Sequence, residues 1–197
     1  MLRSRIVCWL PVLLFASSPL VGRAELPRWS VSFVVDCSAR MGEPIPVGSA
    51  AVTETSTEPR QVKRMDVALQ MTVAALDGMR EAGDYQSAVW LCGHRLTWDG
   101  QEDPQLAEQS EYLQATFGYQ ALKELLPGDD VELIQATGSI SPRSQSVLRR
   151  KLAAVKPWGE RPLYLSMIKA AEELSRRAGA PQRKIIVITT GGNHQGY

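Results

Sequence analysis

The sequence predicts an α/β fold, a mostly parallel sheet covered by helices on both faces. Two observations carry this. Short strand-like runs (Val31–Val35, Ser87–Cys92, Val131–Ala136, Lys184–Thr190) alternate with segments of helical period. Two of these runs, around Val34 and Ile186, are almost continuously apolar, as strands buried on both faces are. Right-handed crossovers would then place the loops that follow the strands on one edge of the sheet, where open α/β sheets bind their ligands.

The elements follow in order. Arg3 and Arg5 precede an apolar run from Ile6 to Ala16. A positive start and a short apolar run read as a secretory signal over residues 1–24, too short for the roughly 20 residues a bilayer span needs. The mature domain is then 25–197, with no membrane span. Val31–Val35 is the first strand, ending at Asp36. Residues 43–61 are small, polar and without period, and read as a long loop. Met65, Ala68, Leu69, Thr72, Ala75, Leu76 and Met79 define a helix over about 62–82, stopped by Gly83. Ser87–Cys92 is the second strand. Gly93-His94 is a turn candidate leading to Arg95–Trp98 as a hairpin partner. Pro104 to Leu126 offers a weak helix. Pro127–Asp130 is a turn and Val131–Ala136 a strand. Ser141-Pro142 is an N-cap with proline at the first helical position, opening a helix to about Val155. Residues 156–162 form a proline-bounded loop, 163–178 a helix, and 184–190 the last strand.

Composition narrows the function. The chain has 197 residues, 44% hydrophobic and 22% charged, an ordinary globular balance. Its net charge is +1, and losing Arg3, Arg5 and Arg23 with the signal lowers this by three to −2. Neither value makes a single-sign field for nucleic acid. Two histidines leave little for a His-based zinc site. After export, Cys37 and Cys92 remain as a candidate disulfide pair in an oxidising compartment, with two free buried thiols as the commoner alternative.

Three segments carry a family resemblance over about residues 30–197. Val34-Val35-Asp36-Cys37-Ser38-Ala39-Arg40-Met41-Gly42 resembles the Asp-x-Ser-x-Ser strand end of von Willebrand factor type A domains. Gly159-Glu160-Arg161-Pro162-Leu163-Tyr164 is similar to their Gly-Gly-Thr-Pro-Leu-Tyr segment. Ile185–Gly191 is similar to their apolar strand followed by Thr-Asp-Gly. The resemblance implies a three-layer α/β/α, Rossmann-like sheet with one antiparallel edge strand. It also implies a domain that would continue beyond residue 197, so the sequence reads as a fragment.

In that family the three segments build a metal-ion-dependent adhesion site from hard oxygen ligands, which suit magnesium. Here Asp36 and Ser38 match as metal-ligand remnants. Arg40 stands for the second serine, Arg161 for the loop threonine and Thr190 for the final aspartate. One carboxylate beside two guanidinium groups is a poor cation cage, so no cofactor is expected beyond weak magnesium or manganese. Either Arg40 or Arg161 takes the place of the ion and pairs with Asp36, or both point into solvent; the second is the blander expectation. The resemblance implies an exported (periplasmic, secreted or cell-surface) non-enzymatic module that binds a protein partner, with an acidic group of that partner as the candidate contact. Two rival readings stand beside it: a scaffolding domain of a longer protein, and a hydrolase using Ser38 or Asp36. No Gly-x-Ser-x-Gly elbow or His-base segment supports the hydrolase.

Overall fold

A computed structural model describes residues 27–46, 61–98, 105–107, 124–176 and 182–189. The expected signal (1–24), Thr190, most of the 43–61 loop and most of the weak 104–126 helix lie outside the described residues.

The chain is mixed α/β. Strands β1 (Trp29–Asp36), β4 (Tyr85–Cys92), β7 (Val131–Ser139) and β8 (Gln182–Ile188) form a four-stranded sheet in the order β7-β4-β1-β8. Among the described residues the α-helices are α1 (Arg64–Ala82), α2 (Pro142–Ala154) and α3 (Leu163–Arg176). β1 is central and parallel to both β4 and β8. β7 lies at one edge, antiparallel to β4, with register shifts between Ser87 and Trp90.

Alternation along β1 decides what covers each face. Val31, Phe33 and Val35 point to one side. There they pack with Met65, Ala68 and Leu76 of α1 and with Leu148 and Leu152 of α2. Fully burying one such leucine contributes about 2 kcal/mol. Ser30, Ser32 and Val34 point the other way, toward α3. The face is small-residued, and α3 answers with Ser166 and Ala170, both fully buried. Small residues on both surfaces let the helix sit close to the strand. Val34, Ala88, Trp90, Cys92, Val131 and Ala170 form the second apolar cluster.

Local signals place the helix ends. Gly83 closes α1 in the left-handed conformation, φ 80°, with its N–H donating to the Met79 carbonyl at 3.1 Å. At the start of α2, Ser144 N–H donates to Ser141 Oγ at 3.1 Å and Ser141 N–H donates to Ser144 Oγ at 3.0 Å, a reciprocal capping box.

Two expectations are corrected. The ends of the 43–61 loop are not periodless coil: β2 (Pro44–Pro46) and β3 (Gln61–Lys63) pair antiparallel at the entry to α1. Residues 95–98 are not a hairpin partner of β4. β5 (Leu96–Thr97) pairs instead with β6 (Gln105–Leu106). The reason is competition: β7 occupies the free edge of β4, and the Asp130 carboxylate accepts the Arg95 and Leu96 N–H groups at 3.0 and 2.9 Å, drawing that chain out of the sheet.

Candidate functional site

β1 delivers Asp36 to the carboxyl edge of the sheet, on the α3 side, with no exposed surface. Both carboxylate oxygens are engaged. Oδ1 accepts the Ser38 backbone N–H at 2.9 Å. Oδ2 accepts the Thr189 hydroxyl at 2.8 Å, and the Arg161 Nη1 lies 3.6 Å from the same oxygen. Arg161 also donates to Thr189 Oγ1 at 3.4 Å. Guanidinium, hydroxyl and carboxylate therefore form a short chain in which Thr189 both accepts and donates.

Of the two arginines in the expected site, only Arg161 reaches Asp36; its side chain is 10% exposed. Arg40 is exposed and contributes its carbonyl, which accepts the Glu43 N–H at 3.2 Å. The expectation that both arginines point into solvent is thus corrected for Arg161. The sequence placed Arg161 in a loop between α2 and α3, and this loop is tied down. Trp158 N–H donates to the Cys37 carbonyl at 3.2 Å, Ala39 N–H to the Gly159 carbonyl at 3.0 Å, and Gly159 N–H to the Gly93 carbonyl at 2.9 Å. Glycine is required at 159: a Cβ there would lie 1.6 Å from the Leu96 carbonyl oxygen. Ser38 is buried, and its hydroxyl has no hydrogen-bond partner among the described residues.

The candidate Cys37–Cys92 disulfide is absent; both are free, buried thiols. Cys92 is in register with Asp36, so Cys37 falls one residue out of step and belongs to the apolar cluster of the opposite face. The Cys37 and Cys92 thiols lie 3.5 and 3.7 Å from the same acceptor, the Val35 carbonyl. Burial, reinforced by neighbouring acidic groups, pushes the Cys37 thiol well above its ordinary range. Burial pushes Cys92 up to about 12.

A second polar cluster was missed by the sequence reading. Asp130 is buried and accepts backbone N–H groups from Arg95 and Leu96; its Oδ1 also lies 3.4 Å from Arg95 Nε and 3.8 Å from His94 Nδ1. Burial raises its carboxyl above the ordinary range, against the pull of His94, Arg95 and the backbone donors. His94 Nε2 lies 3.1 Å from Glu132 Oε2, and this hydrogen bond, helped by nearby positive charge and opposed by burial, lowers the Glu132 carboxyl. Glu160 Oε1 accepts the Trp98 N–H at 2.8 Å. These contacts fix the 93–98 segment against the 156–162 loop. Among the described residues, no three His, Cys, Asp or Glu side chains are grouped to hold a metal ion.

The fold and site define a mixed α/β protein with a buried, arginine-paired aspartate at the carboxyl edge of its central strand. No family model and no curated protein matches the chain. Among solved structures it is similar to the PilB minor pilin from Streptococcus sanguinis, with a TM-score of 0.51 and 15% identity, over 88% of this chain and 31% of that one. The D319A mutant of that pilin aligns at TM-score 0.50 and 16% identity, covering 88% and 32%. An uncharacterized membrane spanning protein from Vibrio fischeri aligns at TM-score 0.42 and 16% identity, over 85% of this chain and 59% of that one. The chain spans about a third of the length of the pilin.

Proposed function

We propose that this chain is an exported, non-enzymatic protein-binding or assembly module of the von Willebrand factor A type, with a degenerate metal site. One observation carries the reading: segments up to 153 residues apart in sequence converge on the buried Asp36 at one sheet edge, as that family's binding segments would. The strand order, with β7 antiparallel at the edge of an otherwise parallel sheet and helices packed on both faces, supports the three-layer Rossmann-like arrangement of that family. The likeness to a minor pilin is one of fold; it makes export and assembly at a surface a reasonable setting for the same module. The hydrolase reading is disfavoured by the Ser38 hydroxyl, which has no hydrogen-bond partner among the described residues. A scaffolding role within a longer protein differs from our reading in needing no partner at this edge.

Site-specific photo-crosslinking tests the proposal. A crosslinker at exposed Arg40 reports on the carboxyl edge, and one at exposed Glu81, at the far end of α1, reports on the opposite edge. We expect a discrete protein adduct outside the cytoplasm from position 40 and none from position 81. Equal adducts from both, or none, overturn the binding reading.

A further inference from the structure

We propose that the Arg161 guanidinium is the resident cation of the Asp36 site, so that the site is complete without a divalent metal and excludes one. A fully buried carboxylate needs a compensating charge or it destabilises the fold. Asp36 has no exposed surface, and Arg161 lies 3.6 Å from its Oδ2. Arg40, the other arginine of the site, is exposed to solvent.

The donor set does not fit magnesium. A magnesium ion wants near-octahedral oxygen ligands at about 2.0–2.1 Å. The single carboxylate already spends one oxygen on the Ser38 N–H and the other on Thr189 and Arg161. An incoming dication would have to displace the Thr189 hydroxyl and sit beside a fixed positive charge. Arginine suits the role, because its charge is permanent and its Nη1 faces both the carboxylate and the Thr189 hydroxyl.

The same geometry says what lies beneath the arginine. Without its side chain, the site retains the Asp36 carboxylate and the Thr189 hydroxyl. These are hard oxygen groups of the kind a small dication takes. Arg161 is therefore the charge-compensating residue of the buried Asp36 carboxylate, standing where an added cation would have to sit. The inference stands on the geometry around Asp36 and does not depend on the binding reading above.

The test compares thermal unfolding of the full chain and of Arg161→Ala in EDTA, in magnesium and in manganese, with Arg161→Lys and the double variant Asp36→Asn/Arg161→Ala alongside. A ligand of the native state raises Tm by roughly 3–6 °C at ten times its dissociation constant for a chain of this size. The unsubstituted chain is expected to unfold at one temperature in all three buffers. Arg161→Ala is expected to unfold at a lower temperature in EDTA and to regain several degrees in manganese. The double variant is expected to show no metal response, and Arg161→Lys to stay metal-insensitive. A metal-dependent rise in the unsubstituted chain overturns the proposal. So does an Arg161→Ala chain that folds as stably as the parent and ignores both metals. Should Arg161→Ala not fold at all, manganese binding to the unsubstituted chain, followed by the loss of the free ion's electron paramagnetic resonance signal, still decides: binding overturns the proposal and its absence beside a metal-insensitive Arg161→Lys upholds it.

Discussion

Gly93 and Glu160 touch backbone to backbone: a Cβ built on Gly93 would lie 2.0 Å from the Glu160 carbonyl oxygen. Gly93 also has φ 76°, a conformation other residues adopt at a cost. The turn after β4 and the loop that carries Arg161 are therefore packed at a distance only glycine allows. Gly93→Ala is expected to cost about 3 kcal/mol or more. Gly83 is a control, with φ 80° but nothing within 4 Å of its would-be Cβ. Gly83→Ala should cost only about 1–2 kcal/mol. Urea unfolding of the two variants checks the order; equal losses would remove the close approach as the cause.

Asp130 is a second buried carboxylate, and it holds two backbone N–H groups of the segment after β4. Asp130→Ala leaves the Arg95 and Leu96 N–H groups and the Arg95 side chain without their carboxylate. A loss of about 3–5 kcal/mol is expected. Asp130→Asn keeps one acceptor oxygen and should lose less. The midpoints of denaturant unfolding measure both, and a near-neutral alanine variant would contradict the role.

The two carboxylates near His94 respond oppositely to acid. The folded-state pKa of Glu132 lies below its ordinary 4.5, chiefly through the His94 hydrogen bond. Its contribution is complete above about pH 4.5 and is lost as pH falls through the folded value. Asp130 is raised from 3.8 by burial, so its ionisation costs stability as pH rises through its folded value. Glu132→Gln should therefore lose less stability than the parent between about pH 6 and pH 3. Parallel curves for the two chains would show that Glu132 contributes nothing to the acid limb.

Cys37 and Cys92 should be unreactive while the domain is folded. Burial keeps both thiols protonated at neutral pH, and only the thiolate attacks an alkylating agent. In the chain lacking residues 1–24, iodoacetamide is expected to label neither under native conditions and both in denaturant. Intact mass then reads the number of adducts. Failure to label in denaturant without reductant would reveal a disulfide instead.

Much of this arrangement is written locally. The apolar runs that became β1, β4 and β8 are short and bounded by polar or turn residues, a signal read within a few positions. Ser141-Pro142 and Gly83 mark helix ends because their chemistry is complete within a few residues. What escaped the sequence depends on distant partners. Nothing near Arg95 in sequence announces that Asp130 will claim its N–H and deny it to β4. Thr189 looks like an ordinary strand-end threonine until β8 pairs beside β1. The 3.6 Å approach of Arg161 to Asp36 requires Gly159 and Gly93 to let two loops meet, and the sequence shows the glycines but not the meeting. The pairing of Cys37 with Cys92 failed on a single residue of register, which strand-end position alone does not resolve.

The central position of β1 has a consequence for how the chain comes to be folded. β1, buried along nearly its whole length, precedes the other described strands in the chain, and the hydroxyl that closes its carboxylate follows 153 residues later. Until then the nascent chain carries Val31, Phe33 and Val34 with no β8 to flank them. Contacts of such long separation slow folding, because chain closure comes before any reward. Until β8 is made, β1 lacks one of its two flanking strands, leaving an apolar edge of the kind a holding chaperone can grip. The chain gains its tertiary lock only when its two distant segments finally meet.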